Sequence, residues 1–297
     1  MNKTRLQIAK ADIIRYFDQL PTKVHRQMDI ARHLAEQRDF WRLTRSATTQ
    51  DFIRFLINSG KLTEIVFPFP KPYKREIRYA WGDFTIYEVM LTLKPGCYFS
   101  HYTAMAFHGL TEQLPKTTYL NQEQKNAGVS TLALTQKGID TALRRSVRVS
   151  KNVAETDEFR VCIISGKNTH NYGVIEEQVI GAAGNSLGRL RFTRIERTLI
   201  DIAVRPIYAG GVFEVLKGYK LAKDKFSMNV LAASLDKLGY VYPYHQVIGF
   251  YLERAGYAHS TLDLLRRFPM EFDFYLTHGM KETDYVKEWR LYIPRGF

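Results

Sequence analysis

Apolar residues recur at helical spacing three times within the first sixty positions. The first run extends from Leu6 to Leu20 and ends just before a proline, which cannot continue a helix. A second run covers about His25 to Gln37, and a third covers Phe52 to Ile57. Thr48 can cap the third helix, and Gly60 can end it in the left-handed conformation. The pattern therefore predicts three successive helices.

The third of these helices carries a polar face. Gln50, Arg54 and Asn58 are four residues apart, so they lie on one side of the helix, opposite most of its apolar residues. Such a face can enter the major groove of DNA and present its side chains to base edges. Together with Thr49 at the start of the helix, these residues are the candidates for reading a DNA sequence.

After the third helix the apolar period changes to two, which is typical of strands. Residues 62–66 and 77–81 alternate in this way. Their connection, Pro68 to Arg75, holds three prolines, three cations and two aromatic residues, which predicts a stiff basic hairpin tip outside the strand ladder. Its cations can lie along DNA phosphates. The candidate DNA-binding cations of this hairpin are Lys71, Lys74, Arg75 and Arg78.

The order helix, helix, helix, strand, basic tip and strand is that of a winged helix-turn-helix domain, which we predict over residues 1–84. Use of the same fold for protein contact alone would leave the basic tip without a role. Residues 85–297 mix strand-like and helical patterns and predict a C-terminal mixed α+β domain, with a sheet-rich part at 85–192 and a helical part at 193–297. The predicted fold class is α+β.

The second region is predicted in more detail from its periodicity. Short strands are expected at 118–120, 132–134, 147–149, 159–164, 173–176 and 190–192. Helices are expected at 193–204, 210–223, 227–238, 244–253 and 260–267, and an extended segment at 271–294.

Composition and charge indicate the kind of partner that the protein binds. Apolar residues make up 45% of the 297 positions and charged residues 25%, as in globular proteins. The net charge of +13 favours a polyanionic partner, most simply nucleic acid. Residues 1–84 hold 16 Lys and Arg against 9 Asp and Glu, whereas residues 85–297 hold 27 against 21. The N-terminal region is therefore the more basic per residue.

The cysteines and the longest apolar runs bear on the compartment. Cys97 and Cys162 are too few for a disulfide scaffold and lack metal-binding spacing, so a reducing cytoplasm fits best. The first fifteen residues hold no apolar signal-peptide core, and the uncharged runs are too short to span a bilayer. We therefore expect a cytoplasmic protein without a membrane partner.

Motifs for catalysis are incomplete. Residues 165–168, Ser-Gly-Lys-Asn, partly match a phosphate-binding loop, but Val161 stands where that loop needs glycine and Asn168 where it needs serine or threonine. His101 and His108 are seven apart and are better explained as core histidines than as metal ligands. We therefore predict no enzyme activity, catalytic residue, cofactor or metal. The alternative is a nuclease with a winged-helix targeting domain, for which Glu123-Gln124-Lys125 is a weak partial motif.

Two segments carry a family resemblance. One is Tyr98-Phe99-Ser100-His101-Tyr102-Thr103-Ala104-Met105-Ala106-Phe107-His108-Gly109-Leu110. The other is Thr193-Arg194-Ile195-Glu196-Arg197-Thr198-Leu199-Ile200-Asp201, continuing to Arg205-Pro206 and Ala209-Gly210-Gly211. With the N-terminal pattern, they resemble the AbiEi family, the abortive-infection antitoxins of type IV toxin–antitoxin systems, which act in phage defence.

The resemblance implies a transcriptional repressor that binds inverted repeats in its own promoter through the winged helix. It also implies a C-terminal domain that counteracts a nucleotidyltransferase toxin, with direct contact between the two proteins left open. The second segment can act in partner contact or in structure, since Arg197 and Asp201 are four apart on a helix and can pair. The residues of this cluster are Arg194, Glu196, Arg197 and Asp201.

Overall fold

The computed structural model describes residues 4–125, 133–181 and 183–297, and their fold is mixed α+β, as predicted. The helices are α1 (Arg5–Ile8), α2 (Lys10–Asp18), α3 (Gln27–Gln37), α4 (Thr49–Asn58), α5 (Ile86–Leu91), α6 (His101–Phe107), α7 (Gln136–Leu143), α8 (Ile195–Val204), α9 (Val212–Leu221), α10 (Met228–Leu238), α11 (Tyr244–Arg254) and α12 (His259–Arg266). The strands are β1 (Val24–His25), β2 (Leu62–Phe67), β3 (Glu76–Trp81), β4 (Tyr98–Phe99), β5 (Thr118–Glu123), β6 (Val153–Glu155), β7 (Arg160–Gly166), β8 (Val174–Ile180), β9 (Ser186–Thr193), β10 (Phe274–Tyr275), β11 (Thr283–Val286) and β12 (Leu291–Pro294).

The N-terminal region packs four helices against one face of a small antiparallel sheet. Strand β3 lies between β1 and β2, and Leu62 of β2 pairs with Trp81 of β3. Helix α4 begins where predicted, because the Thr48 hydroxyl accepts the Asp51 N–H at 3.1 Å. Phe17 and Phe52 join Trp81 in the core that ties these helices to the sheet.

The opposite face of this sheet is also buried. Ile65, Phe67 and Phe69 belong to a core cluster that includes Val89, Phe99 and other residues as far as Phe192 in the chain. The Phe67 and Phe159 rings lie 4.9 Å apart between centroids. One hydrophobic cluster therefore extends across the boundary predicted at residue 84, and a cut there would expose an apolar sheet face.

The second region is built on a mixed six-stranded sheet. Its strand order is β6-β7-β5-β4-β9-β8, with parallel pairs β5/β7 and β4/β9. The remaining neighbours pair in antiparallel fashion. Helices α8 to α12 follow and form a separate core, which a third sheet of order β10-β12-β11 completes. Gly249 of α11 sits against Trp289, and a Cβ there would lie 2.1 Å from the indole ring.

Some predicted elements differ from the structure. The first apolar run divides into α1 and α2 at Ala9. Residues 147–149 form no strand, and the Arg148 carbonyl accepts a hydrogen bond from the Arg205 side chain. Of the strand expected at 132–134, residue 132 lies outside the described residues, and the other two are not in a strand. The strand Val153–Glu155 was not predicted.

Candidate functional site

The polar face of α4 is open to solvent. Gln50, Arg54 and Asn58 are exposed, and Thr49 is half-buried. The Arg54 side chain is 72% exposed and lies 3.8 Å from Asp51, an ion pair too solvated to hold it. The apolar side of the helix is fixed in the core through Phe52. This arrangement presents three polar side chains outward from a rigid element.

The hairpin tip presents its cations in the same exposed way. Lys71, Lys74 and Arg75 are all exposed, and among the described residues no carboxylate lies within 4 Å of any of them. Phe69 anchors the tip in the core, whereas Tyr73 stays 39% exposed. The tip is therefore a surface of uncompensated positive charge on an anchored support.

Arg78 does not belong to this surface, and its predicted role in DNA binding is wrong. The residue is only 3% exposed, because the second region covers its face of β3. Its guanidinium donates to Glu76 Oε2 at 3.0 Å and to Thr92 Oγ1 and the Thr92 carbonyl, each at 3.0 Å. These contacts join β3 to the end of α5 and leave Arg78 unavailable to a ligand.

Arg194 and Glu196 also have structural partners. Arg194 Nη2 donates to Ser234 Oγ at 2.9 Å and to the Tyr172 hydroxyl at 3.1 Å. Glu196 accepts the Ser227 N–H at 3.2 Å, at the start of α10. Both residues therefore fasten α8 to α10.

Arg197 and Asp201 form the predicted pair on one face of α8. Arg197 Nε donates to Asp201 Oδ1 at 2.7 Å, and the side chains are 6% and 8% exposed. Arg197 Nη1 also donates to the Tyr172 carbonyl at 2.8 Å. Burial is the largest single influence and lowers the pKa of Arg197, but the Asp201 carboxylate, Tyr240 and Tyr98 together raise that pKa above its usual value. The pair is charged and interior.

Glu123, from the weak nuclease motif, accepts hydrogen bonds from other residues of the protein. Its carboxylate accepts the Thr169 N–H at 2.7 Å, the Asn171 N–H at 3.2 Å and the Tyr98 hydroxyl at 3.0 Å. The Thr169 hydroxyl also donates to this carboxylate. Burial would raise the pKa of Glu123, but the hydrogen bonds, with that from the Thr169 hydroxyl the largest contributor, lower the pKa overall. The observed use of this carboxylate is to order the loop after β7.

Of the two histidines in the first matched segment, His101 is buried and His108 is half-buried. His108 Nε2 donates to the Thr193 carbonyl at 2.8 Å, which joins the two segments that carry the family resemblance. His101 Nδ1 lies 2.8 Å from Ser100 Oγ, and burial lowers the pKa of His101 to about 4. Both histidines therefore serve packing and hydrogen bonding in the described structure.

A group of possible metal-binding atoms lies elsewhere. Glu253, His259 and Glu288 each offer a ligand atom, and these atoms lie within 4.8 Å of one another. Both carboxylates already have partners, since Trp289 Nε1 donates to Glu253 at 3.0 Å and Arg266 pairs with Glu288. The cation at Arg266 opposes a metal ion there.

A cavity of about 830 Å³ lies between the hairpin tip and the second region. Its walls come from segments far apart in sequence, so local motifs did not reveal it. The lining residues that sequence reasoning missed include Asn121, Arg148, Lys151, Tyr208 and Tyr240. The partial phosphate-loop motif at residues 165–168 was the one local signal near it, and Arg197 and Asp201 also line it.

Comparison with known proteins shows the fold alone. No protein-family model and no curated protein matches the sequence. The chain is similar in structure to the Rv2827c protein from Mycobacterium tuberculosis, whose crystal structure it matches with a TM-score of 0.58 and 15% identity. The match covers 96% of this chain and 91% of the other. No described helix has the length and apolar character that a membrane span requires.

Proposed function

We propose that this protein binds duplex DNA through a winged helix-turn-helix formed by its N-terminal region. The carrying observation is the exposed polar face of α4, accompanied by a hairpin tip whose three cations have no carboxylate within 4 Å in the described ranges. Uncompensated exposed cations attract phosphates, and an outward helix face can reach base edges. Together they supply affinity and sequence preference.

The connectivity of the N-terminal elements supports this proposal. Helix α2 is followed by β1, then by α3 and α4, then by the β2–β3 hairpin, with β3 in the middle of the sheet. In a winged helix-turn-helix, the helix before the hairpin lies in the major groove and the hairpin lies beside it on the backbone. Helix α4 takes the first of these roles, and the tip at residues 68–75 takes the second.

We assign the regulatory and antitoxin roles from the AbiEi resemblance. The protein would repress its own promoter and counteract a nucleotidyltransferase toxin encoded beside it. The two matched segments support this assignment because they form one packed unit, in which α6 and α8 lie against each other and His108 bonds to Thr193. The second region would then supply the antitoxin function, in the cytoplasm.

The DNA proposal is tested with the full chain and a labelled duplex from upstream of its own gene. Arg54→Ala should lose about 1–3 kcal/mol of preference for that duplex over an unrelated one, because a base contact disappears. Arg160→Ala is the matched control, since Arg160 is another exposed arginine in a surface ion pair, on β7. Equal preference in Arg54→Ala and the unmodified protein would contradict the assignment of α4.

The antitoxin proposal is tested by co-expression with the neighbouring toxin. A chain carrying Lys71→Ser, Lys74→Ser and Arg75→Ser should fail to repress the promoter but should still rescue growth, since these three exposed side chains belong neither to α6 nor to α8. Circular dichroism checks that the variant is folded. Loss of both activities in a folded variant would contradict a division of labour between the two regions.

A further inference from the structure

The cavity between the hairpin tip and the second region has an excess of cations without acidic partners. Arg148, Lys151, Lys167 and Arg205 line it, and no carboxylate among the described residues lies within 4 Å of these four side chains. The Asp201 carboxylate is committed to Arg197. Four cations around one concave space repel each other, and a bound anion would remove that repulsion.

The cationic wall is held in place by the fold. Ser150, between Arg148 and Lys151, donates its N–H to the Tyr208 hydroxyl at 2.8 Å and its hydroxyl to the Ile163 carbonyl at 2.6 Å. A segment without regular structure is thus fixed at two points. Its charges face the cavity from a defined position, which reduces the entropy cost of binding.

The opposite wall is equally ordered. Lys167 donates to the carbonyls of Leu238 and Gly239 at 2.9 and 2.8 Å, which leaves one of its three N–H donors for a ligand. Asn121 is 5% exposed and packs against Gly166, where a Cβ would lie 2.5 Å from its side-chain oxygen. Glycine at this position therefore lets a buried amide reach the cavity wall.

Aromatic rings complete the cavity and narrow the class of ligand. Tyr73, Tyr208 and Tyr240 line it together with the cations. A volume of about 830 Å³ is in the range of small-molecule sites and is too small to admit a DNA duplex. Tyrosine rings stack on nucleobases, and lysine and arginine bind phosphates.

We infer that this cavity binds a nucleoside polyphosphate, with the phosphates toward Arg148, Lys151 and Lys167 and the base against tyrosine. The site goes beyond DNA binding and does not depend on it. Tyr73 belongs to the hairpin tip, so a bound nucleotide would contact the same element that we propose lies on DNA. The partial phosphate-loop motif at residues 165–168 then has a role in binding, although its sequence is incomplete.

The test is calorimetric titration of the full chain, without DNA or metal, using ATP, inorganic pyrophosphate and adenosine as probes. ATP should bind saturably with one site per chain. Pyrophosphate and adenosine should each bind at least tenfold more weakly than ATP. Arg148→Ser and Lys151→Ser should each weaken ATP by roughly tenfold, the usual effect of removing a charged hydrogen bond. Arg267→Ser is the matched control, an exposed arginine outside the cavity.

Tyr73→Ala tests the contact with the base independently of the contacts with the phosphates. It should weaken ATP several-fold and leave pyrophosphate unchanged, because only ATP has a ring to stack. Absence of saturable ATP binding, or equal ATP binding in Arg148→Ser and the unmodified chain, would overturn the site. Pyrophosphate binding as tight as ATP, or binding of oligo(dT) where ATP does not bind, would overturn a nucleoside ligand. Promoter DNA is titrated in a separate experiment, so that a failure of the DNA-binding proposal can be distinguished from a failure of the nucleotide-binding proposal.

Discussion

The cations on the N-terminal surface and the arginines of helix α8 in the C-terminal region are used in opposite ways. In the N-terminal region, Arg54 and the tip cations extend into solvent with weak acidic partners or none among the described residues. In the C-terminal region, Arg194 and Arg197 are held by hydrogen bonds inside the protein. A charged residue on a helix therefore does not identify a binding surface until the neighbours of that helix are known.

The same contrast explains why the predicted role of Arg78 is wrong. Alternation along β3 predicts one buried and one exposed face, but a second core covers the face expected to meet solvent. An arginine there must find acceptors inside the protein, and Glu76 and Thr92 supply them. The two regions share an interface, and that interface decides which cations stay free.

The largest difference between the regions should be in stability. Arg197→Ala removes one partner of a buried ion pair and should cost about 3–5 kcal/mol in the free energy of unfolding. Arg54→Ala removes an exposed side chain and should change it by less than about 0.5 kcal/mol. Urea unfolding of both variants measures the two effects.

The double variant Arg197→Met with Asp201→Leu is the control, since it removes the isolated charge that Arg197→Ala leaves behind. It should recover much of the missing stability. Equal stability of Arg197→Ala and Arg54→Ala would show that the buried pair does not hold the C-terminal region together.

Phe67→Ala tests whether the regions are energetically independent. The ring is fully buried and meets Phe159 of the second region, so its removal should cost about 3–5 kcal/mol. Trp41 and Trp81 report on the N-terminal core, and Trp289 reports on the C-terminal one. Trp289→Phe leaves only the N-terminal tryptophans, and the double change Trp41→Phe and Trp81→Phe leaves only Trp289. In both backgrounds, Phe67→Ala should move the urea midpoint of the fluorescence transition to a lower concentration. A shift confined to the N-terminal probe would mean two independent domains.

Acid should weaken the second region through His101. Burial lowers the pKa of this histidine to about 4, so between its unfolded value near 6.5 and about 4 the unfolded chain binds a proton that the folded chain does not. The contribution of His101 to the free energy of unfolding is therefore fully present above about pH 6.5. It decreases as the pH falls, by about 3 kcal/mol at pH 4.

His101→Asn is the variant that measures this effect, because the residue has a φ of +52° and asparagine tolerates that conformation. The variant should lose less stability than the unmodified chain between pH 7 and pH 4. Parallel stability curves for the two proteins would contradict the assignment to His101.

Local patterns are enough for most elements but not for the sites they build. Helix α4 is predicted within a residue because Thr48, the apolar stripe and Gly60 all act locally. The polar face of that helix is predicted correctly for the same reason, as Gln50, Arg54 and Asn58 are exposed. The i, i+4 pair on α8 also follows from spacing alone.

Features that depend on distant contacts could not be predicted from the sequence. The cavity draws its cations from three segments between residues 148 and 205, and no local pattern joins them. The burial of Arg78 depends on α5 and on a sheet whose strands come from residues 98 to 193. Strand β7 shows no alternation because Val161 to Ile164 are all buried, which removes the pattern that marks a half-buried strand.

The salt dependence of DNA affinity tests the central claim most directly, that the exposed cations of the N-terminal region bind phosphates. The full chain and its variant Lys71→Ser, Lys74→Ser, Arg75→Ser are titrated with promoter duplex across a range of salt concentrations. We expect the slope of log affinity against log salt to fall in magnitude by roughly three, about one for each phosphate that the variant no longer neutralises. An unchanged slope in a folded variant would contradict the account.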